Sequence, residues 1–291
     1  FDDLTLTSTT GYYDQTVQLM AVSDWSPFAA IWAASRETYE LVTEELRLSS
    51  EFDGPLNFMA GLYYETFDRS YFNSADLFHR FDADSQTYAA VMMDSSSDGD
   101  YQSAFAQVTW DIAENLELSA GARYSDDEKN MNIENLIANP SLFLYPEGRV
   151  LRSGYGDSNI SPEATLSWYP DEDQTVYIAY KTGYKAGGIS NPFLLSINAT
   201  PDNVKFQPEE AKGFEVGYKA TALERRLRYD LVAYSYKYED LQVVSYNSQT
   251  INFTINNAAS ADIQGLQGSL EWLALEDLTL RGNFGYNKAE Y

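Results

Sequence analysis

Apolar and polar residues alternate one for one along much of this chain. From Ala104 to Ile112 one phase reads Ala104, Ala106, Val108, Trp110 and Ile112, and the other reads Phe105, Gln107, Thr109 and Asp111. A period of two marks a strand with one face in an apolar medium and the other in a polar one. After Ala113-Glu114-Asn115 the pattern resumes as Leu116, Leu118, Ala120, Ala122 and Tyr124 against Glu117, Ser119, Gly121 and Arg123. So short a break predicts a hairpin.

Four more hairpins are predicted on the same grounds. Leu46 and Leu48 lead through Asp53-Gly54-Pro55 to Leu56, Phe58, Ala60, Leu62 and Tyr64. Ile160 to Trp168 leads through Pro170-Asp171-Glu172-Asp173 to Val176, Ile178 and Tyr180. Phe214 to Ala220 leads through Leu223-Glu224-Arg225 to Leu227, Tyr229 and Leu231, and Leu266 to Trp272 leads past Ala274 to Asp277, then Leu278 and Leu280. Between hairpins, residues 68–100, 126–158 and 186–210 are long, polar and rich in Asp, Ser, Asn and Tyr, and they read as loops. Tight turns alternating with long loops are the pattern of an outer-membrane barrel, with its short turns on the periplasmic side. A β-sandwich also alternates, but its strands average five or six residues. These run to about ten, the length a tilted membrane strand needs. An opening strand near Leu4 to Tyr13 brings the total to about eleven, an odd number where single-chain bacterial barrels have even ones. The expected fold is therefore all-β: an antiparallel up-and-down transmembrane β-barrel, of which residues 1–291 are a contiguous interior piece lacking strands at both ends.

Composition changes this picture in a few places. No stretch approaches the ~18 apolar residues of a membrane helix. The longest apolar run is Phe28 to Ala34, and no basic, apolar leader precedes it from Phe1. Barrels hide their apolar surface in alternation, so low mean hydropathy does not count against a membrane. The 23 Tyr, 15 Phe and 5 Trp make 15% of the chain aromatic, which suits the girdles where rings sit at headgroup level. A net charge of −25 repels phosphate backbones and excludes nucleic acid as a partner. It suits a surface meeting cations or a lipopolysaccharide layer bridged by divalent ions, and in the plainer reading it keeps loops soluble. The absence of cysteine removes disulfides, thiol catalysis and cysteine-bound metals.

Several segments resemble the β-barrel of TonB-dependent outer-membrane receptors. They are Thr43-Glu44-Glu45-Leu46-Arg47-Leu48-Ser49, Ala60-Gly61-Leu62-Tyr63-Tyr64, and Ala104-Phe105-Ala106-Gln107 with Leu116 to Tyr124. Ser161-Pro162-Glu163, Tyr177 to Gly188, Phe206-Gln207-Pro208-Glu209, Phe214 to Lys219 and Asn257-Ala258-Ala259 before Gly265 continue the series in order. The resemblance implies a barrel of about 22 strands with a plugged lumen. It implies a non-enzymatic, energy-coupled uptake receptor of the Gram-negative outer membrane, with TonB, its own plug domain and a scarce solute as partners. A ferric siderophore is the solute class the family favours, and no cofactor is expected. The segments for the plug, the TonB-coupling box and a terminal aromatic strand are not among these residues. A passive porin and a secreted β-sandwich adhesin are the rival readings.

Candidate residues follow from the two phases. On the polar phase, Glu45, Arg47, Glu117, Arg123, Glu163, Lys181, Glu215, Lys219, Arg228, Glu271 and Arg281 are expected to face the lumen and, for several, the plug. Aromatics expected in loops, Tyr71, Phe72, Phe78, Phe81, Tyr88, Phe143, Tyr145, Tyr155 and Phe193, are candidates for gripping a ligand by ring stacking. His79 is the only histidine and has Asp76, Asp82 and Asp84 nearby, which reads as a solvated loop histidine rather than a metal ligand or a hydrolase base. Asp94 to Asp100 mimics the start of a calcium loop, but Phe105 stands where its twelfth position needs Glu, leaving a flexible acidic loop. Gly183, Gly187 and Gly188 around Lys185 lack the strand–loop–helix setting of a phosphate cradle, and they are expected to let a strand bend at the barrel rim.

Overall fold

The computed structural model describes residues 3–22, 30–247, 252–258 and 260–290. Phe1, Ala259 and the start of the Phe28 to Ala34 run lie outside these residues. The strands are β1 (Leu4–Val22), β2 (Ile31–Ser50), β3 (Leu56–Leu77), β4 (Ala89–Ala113), β5 (Leu116–Asn135), β6 (Val150–Trp168), β7 (Gln174–Lys185), β8 (Gly188–Ile189), β9 (Lys205–Phe206), β10 (Glu209–Ala222), β11 (Leu227–Glu239), β12 (Gln242–Asn247), β13 (Asn252–Asn257), β14 (Ala261–Leu275) and β15 (Leu278–Glu290). Eleven of them form one antiparallel sheet in the order β1-β2-β3-β4-β5-β6-β7-β10-β11-β14-β15, and β8-β9 and β12-β13 are separate two-stranded ribbons. Each large strand pairs with the next in sequence, which is the up-and-down meander of a barrel wall and not two facing sheets. A single 3₁₀ turn, Pro140–Leu142, is the only helix among the described residues.

The five predicted hairpins are present, with turns at 51–55, 114–115, 169–173, 223–226 and 276–277. The long connections are narrower than the polar stretches 68–100 and 126–158 that predict them. β4 runs 25 residues and β3 22, whereas a tilted crossing needs about nine to eleven. Their upper halves therefore continue as paired strand beyond the membrane, where the outward face meets water instead of lipid and its polar composition imitates a loop. Tyr71 and Phe72 lie in β3 and Tyr155 in β6, not in loops. Asp94 to Asp100 is strand as well, so its acids point to one face and Ser95, Ser97 and Gly99 to the other, and no loop wraps an ion there. The excursion at 240–260, with its ribbon β12-β13, did not register in the alternation.

Register sorts the side chains into two faces. One row runs across the sheet as Leu56, Trp110, Leu118, Leu166, Ile178, Val216, Ala233, Leu266 and Tyr286, each opposite the next. All but the half-buried Leu118 are exposed, Ile178 by 49% and Val216 by 51%, on a face that only an apolar solvent satisfies. This is the outward face. The opposite, inward face is polar near the turns and carries the core near the other end. There Met93, Met131, Ile133 and Leu151 of β4, β5 and β6 pack with Tyr145, Leu195 and Val204. A second cluster joins Ala75 and Val91 to Leu144 and Leu194. The core thus lies inside the mouth, where the β7–β10 connection folds back onto the wall. Backbone bonds from Tyr145 N to Leu195 O (2.8 Å) and Ile197 N to Phe143 O (2.8 Å) fix it, as do Ser153 Oγ to Pro201 O (2.7 Å) and Asn191 Nδ2 to Ser95 Oγ (2.9 Å).

Candidate functional site: the inward wall and the mouth

All eleven charged residues of the polar phase lie on the face opposite the exposed apolar row. Several are paired. Lys181 Nζ lies 2.8 Å from Glu215 Oε2, Arg281 lies 3.1 Å from Glu271, and Arg47 lies 3.8 Å from Glu45. Arg228 stands directly opposite Glu271, and Lys219 sits over the ring of Tyr177 at 5.6 Å. Glu117 stands beside Tyr169, and Glu163 faces Gly121 across the ladder. Arg123 has a different setting. Its guanidinium lies 5.3 Å from the Phe105 ring, 5.6 Å from Tyr63 and 5.8 Å from Tyr101, and its Nε donates to Tyr101 Oη at 3.3 Å. Three rings hold the cation, and among the described residues its terminal nitrogens have no hydrogen-bond partner, an arrangement open to a bidentate acceptor.

Higher on the same wall is a cluster that sequence reading missed. Asp127 of β5 is opposite Asp157 of β6. Lys129 Nζ donates to Asp127 Oδ2 at 2.9 Å and to Gly187 O at 3.4 Å. The hydroxyls of Tyr155 (3.2 Å) and Tyr184 (2.8 Å) both donate to Asp157 Oδ2. Burial, with Asp157 next in effect, pushes the Tyr155 phenol up to about 12. Gly187 sits so close that a Cβ there would lie 2.3 Å from Tyr155 Oη and 2.5 Å from Phe206 O. The glycines after β7 therefore do more than bend the strand, because Gly187 is where the connection is gripped. The signal was the missing side chain at Gly187, which admits this approach, but nothing in the sequence says what approaches it.

The candidate aromatics divide. Tyr71 faces inward and Phe72, its neighbour in β3, outward, so the two cannot grip one ligand. Tyr145 is 6% exposed and built into the core, and Phe193 packs on the second cluster. Phe78, Phe81 and Tyr88 remain together in the β3–β4 connection, with Phe81 and Tyr88 meeting edge to face at 5.2 Å. Phe78 and Phe81 line a cleft of about 510 Å³ with Arg80, Asp82, Asn139 and Leu142. Phe78 and Phe143 both adopt left-handed backbone (φ 61° and 51°) and are largely exposed. His79 Nδ1 is paired to Asp76 Oδ2 at 2.5 Å, and no group of three or more metal-ligating side chains forms among the described residues.

The outward face of β1 to β5 is acidic with little to balance it. Outward positions of β1 to β5 hold Asp14, Glu40, Glu44, Asp68, Asp94, Asp98, Asp100, Asp126, Glu128 and Glu134 against one cation, Arg36. The first four of one row, Asp14, Glu40, Asp68 and Asp98, are successive cross-strand neighbours.

The family model for the TonB-dependent receptor-like β-barrel matches residues 1–291. Pesticin receptors of Yersinia pestis and Yersinia enterocolitica are each 22% identical over 170 residues, 58% of this chain and 23% of theirs. Among solved structures, the ferric yersiniabactin uptake receptor FyuA of Yersinia pestis superposes with a TM-score of 0.79 at 15% identity, over 100% of this chain and 41% of that one. A copper transporter, OprC, follows at 0.73 and 13% identity, over 99% and 44%, and the ferric citrate transporter FecA at 0.66 and 12%, over 100% and 40%. At such identities the likeness is one of fold, and the chain spans less than half the length of these proteins. The match over every residue is decisive: this chain belongs to the TonB-dependent receptor β-barrel family, non-enzymatic barrels of the Gram-negative outer membrane.

Proposed function

We propose that the chain forms barrel wall and mouth of an energy-coupled receptor that imports a scarce solute, with a ferric siderophore as the solute class. The family match over residues 1–291 carries this reading. Relatives described as an uptake receptor for ferric yersiniabactin and a transporter for ferric citrate support the solute class. In this reading Phe78 and Phe81 offer their faces to the solute at the cleft beside Arg80, with Tyr88 packed against Phe81, and the inward charges meet the plug of the whole receptor. Arg123 is the inward cation best arranged to receive a plug carboxylate, because its ring cage fixes the guanidinium and leaves its outer nitrogens unpaired. Lipid and lipopolysaccharide surround the outward face.

The test is uptake of radioactive iron, supplied as a panel of ferric siderophores, by an iron-starved host carrying the full-length receptor as its only such protein. Uptake of at least one complex that vanishes when TonB is deleted is the expected result. Uptake indifferent to TonB, with steady ion current through the purified protein, would mean a passive pore.

A further inference from the structure

The ribbon β12-β13 is tied at its base to the connection that fills the mouth. Gln242 and Asn257, which begin and end it, stand opposite each other. Gln242 Nε2 donates to Ala186 O (2.9 Å) and to Gln207 O (3.1 Å), so one side chain joins both ends of the connection. Asn257 Nδ2 donates to Gln207 O at 2.8 Å, and its Oδ1 accepts from Gln207 N at 2.7 Å. Further along, Ile255 N donates to Ser190 Oγ at 3.2 Å, and Ser190 N donates to the carbonyl of Val204, a member of the mouth core. The ribbon therefore leans over the mouth and not over the lipid.

Side chains alternate along a strand and cross-strand partners share a face, so Val244, Tyr246, Phe253 and Ile255 lie on the face that carries Gln242 and Asn257. Among the described residues of the ribbon, that face has no charged side chain. Tyr246 and Phe253 stand opposite each other with ring centroids 4.9 Å apart, yet they stay 54% and 58% exposed. A ring pair on a ribbon fixed at its base gives up little further freedom when a third ring meets it.

The geometry points to a solute contact at this pair: Tyr246 and Phe253 receive an aromatic ring of the iron chelator, and so select phenolate- or catecholate-bearing ferric complexes over aliphatic ones. Position over the mouth makes the occupant the entering solute. The uncharged face makes the contact a ring, because an aliphatic polycarboxylate finds no cation there, whereas a flat ring finds two offset partners. Gln242 and Asn257 are the positioning residues that hold the pair over the entrance. This assignment rests on the uptake reading and narrows its solute class.

The experiment is equilibrium binding of radioactive iron to outer membranes holding the full-length receptor, with a panel that sets catecholate and phenolate chelators against hydroxamate and citrate ones. Wild type should bind a ring-bearing complex most tightly. Tyr246→Leu with Phe253→Leu keeps an apolar surface but removes both rings, and it should weaken that complex by about tenfold, the ratio two ring contacts support. Tyr246→Phe with Phe253→Tyr keeps both rings and should bind as wild type does. Tightest binding of an aliphatic complex, or wild-type affinity in the leucine variant, would overturn the assignment. TonB-dependent uptake of aliphatic complexes alone would remove it and leave the uptake reading standing, whereas binding of no ferric complex would remove both.

Discussion

Asp127 and Asp157 face each other directly across β5 and β6, and the groups around them turn a repulsive pair into a clamp on the connection that fills the mouth. Like charges opposed in a ladder destabilise it. Here Lys129 neutralises Asp127, two tyrosine hydroxyls donate to Asp157, and Lys129 also reaches Gly187 O. Asp127 is only 6% exposed, and its Oδ1 has no hydrogen-bond partner among the described residues. The cluster therefore depends on Lys129.

Lys129→Met should leave a buried carboxylate without its counter-ion, at a cost of about 3–5 kcal/mol. The 186–208 connection should become protease-sensitive in the full-length receptor while the strands stay resistant. Adding Asp127→Asn should restore most of the protection. Equal sensitivity of the single and double variants would mean that Lys129 acts through something other than charge.

Leu195 is fully buried at the centre of the mouth core. Leu195→Ala should destabilise the connection by about 2–5 kcal/mol through the cavity it leaves. Hydrogen exchange should accelerate over 188–206 and stay unchanged in the lower half of β5. Faster exchange throughout the barrel would show that the connection supports the wall and is not merely docked on it.

Tyr155 supplies a pH signature. Its phenol is raised from 10.0 to about 12, so the neutral form is favoured in the folded wall. A raised pKa contributes stability that is complete below the unfolded value and is lost as pH climbs through the folded one. The gap in urea midpoint between wild type and Tyr155→Phe should hold up to pH 10 and shrink between 10 and about 12. A gap independent of pH would mean that the phenol is not coupled to folding.

Arg123→Glu reverses the charge inside the ring cage without touching the outward face. The barrel should still assemble, with unchanged heat-modified gel mobility, while plug retention loosens and large antibiotics leak in. Unaltered antibiotic sensitivity would remove Arg123 from the plug interface.

How far these features were legible depends on where a one-sided solvent imposes a pattern. Between Ala104 and Tyr124, lipid meets one face and water the other, so the hairpin and both faces could be read residue by residue. Above the membrane the constraint lapses. Ser95 to Gly99, Lys129 to Asn135 and Val150 to Tyr155 belong to the same strands, yet a polar outward face conceals them. Leu194 and Leu195 were illegible for another reason. They lie in irregular backbone with no period, and their partners Met93 and Ile133 are remote in sequence. Tyr145, read as a ligand contact from its loop position, was claimed by that core.

The central claim is that alternate residues of these strands face lipid and lumen. The chain has no cysteine, so single cysteines can be placed from Ala104 to Ile112 of β4 in a full-length receptor with any cysteine outside these residues replaced by serine, and reacted with a water-soluble maleimide in bilayers. The account predicts a strict period of two, with positions 105, 107, 109 and 111 labelled from the lumen once the plug is removed, and 104, 106, 108, 110 and 112 protected. Uniform labelling, or protection in the opposite phase, would contradict it.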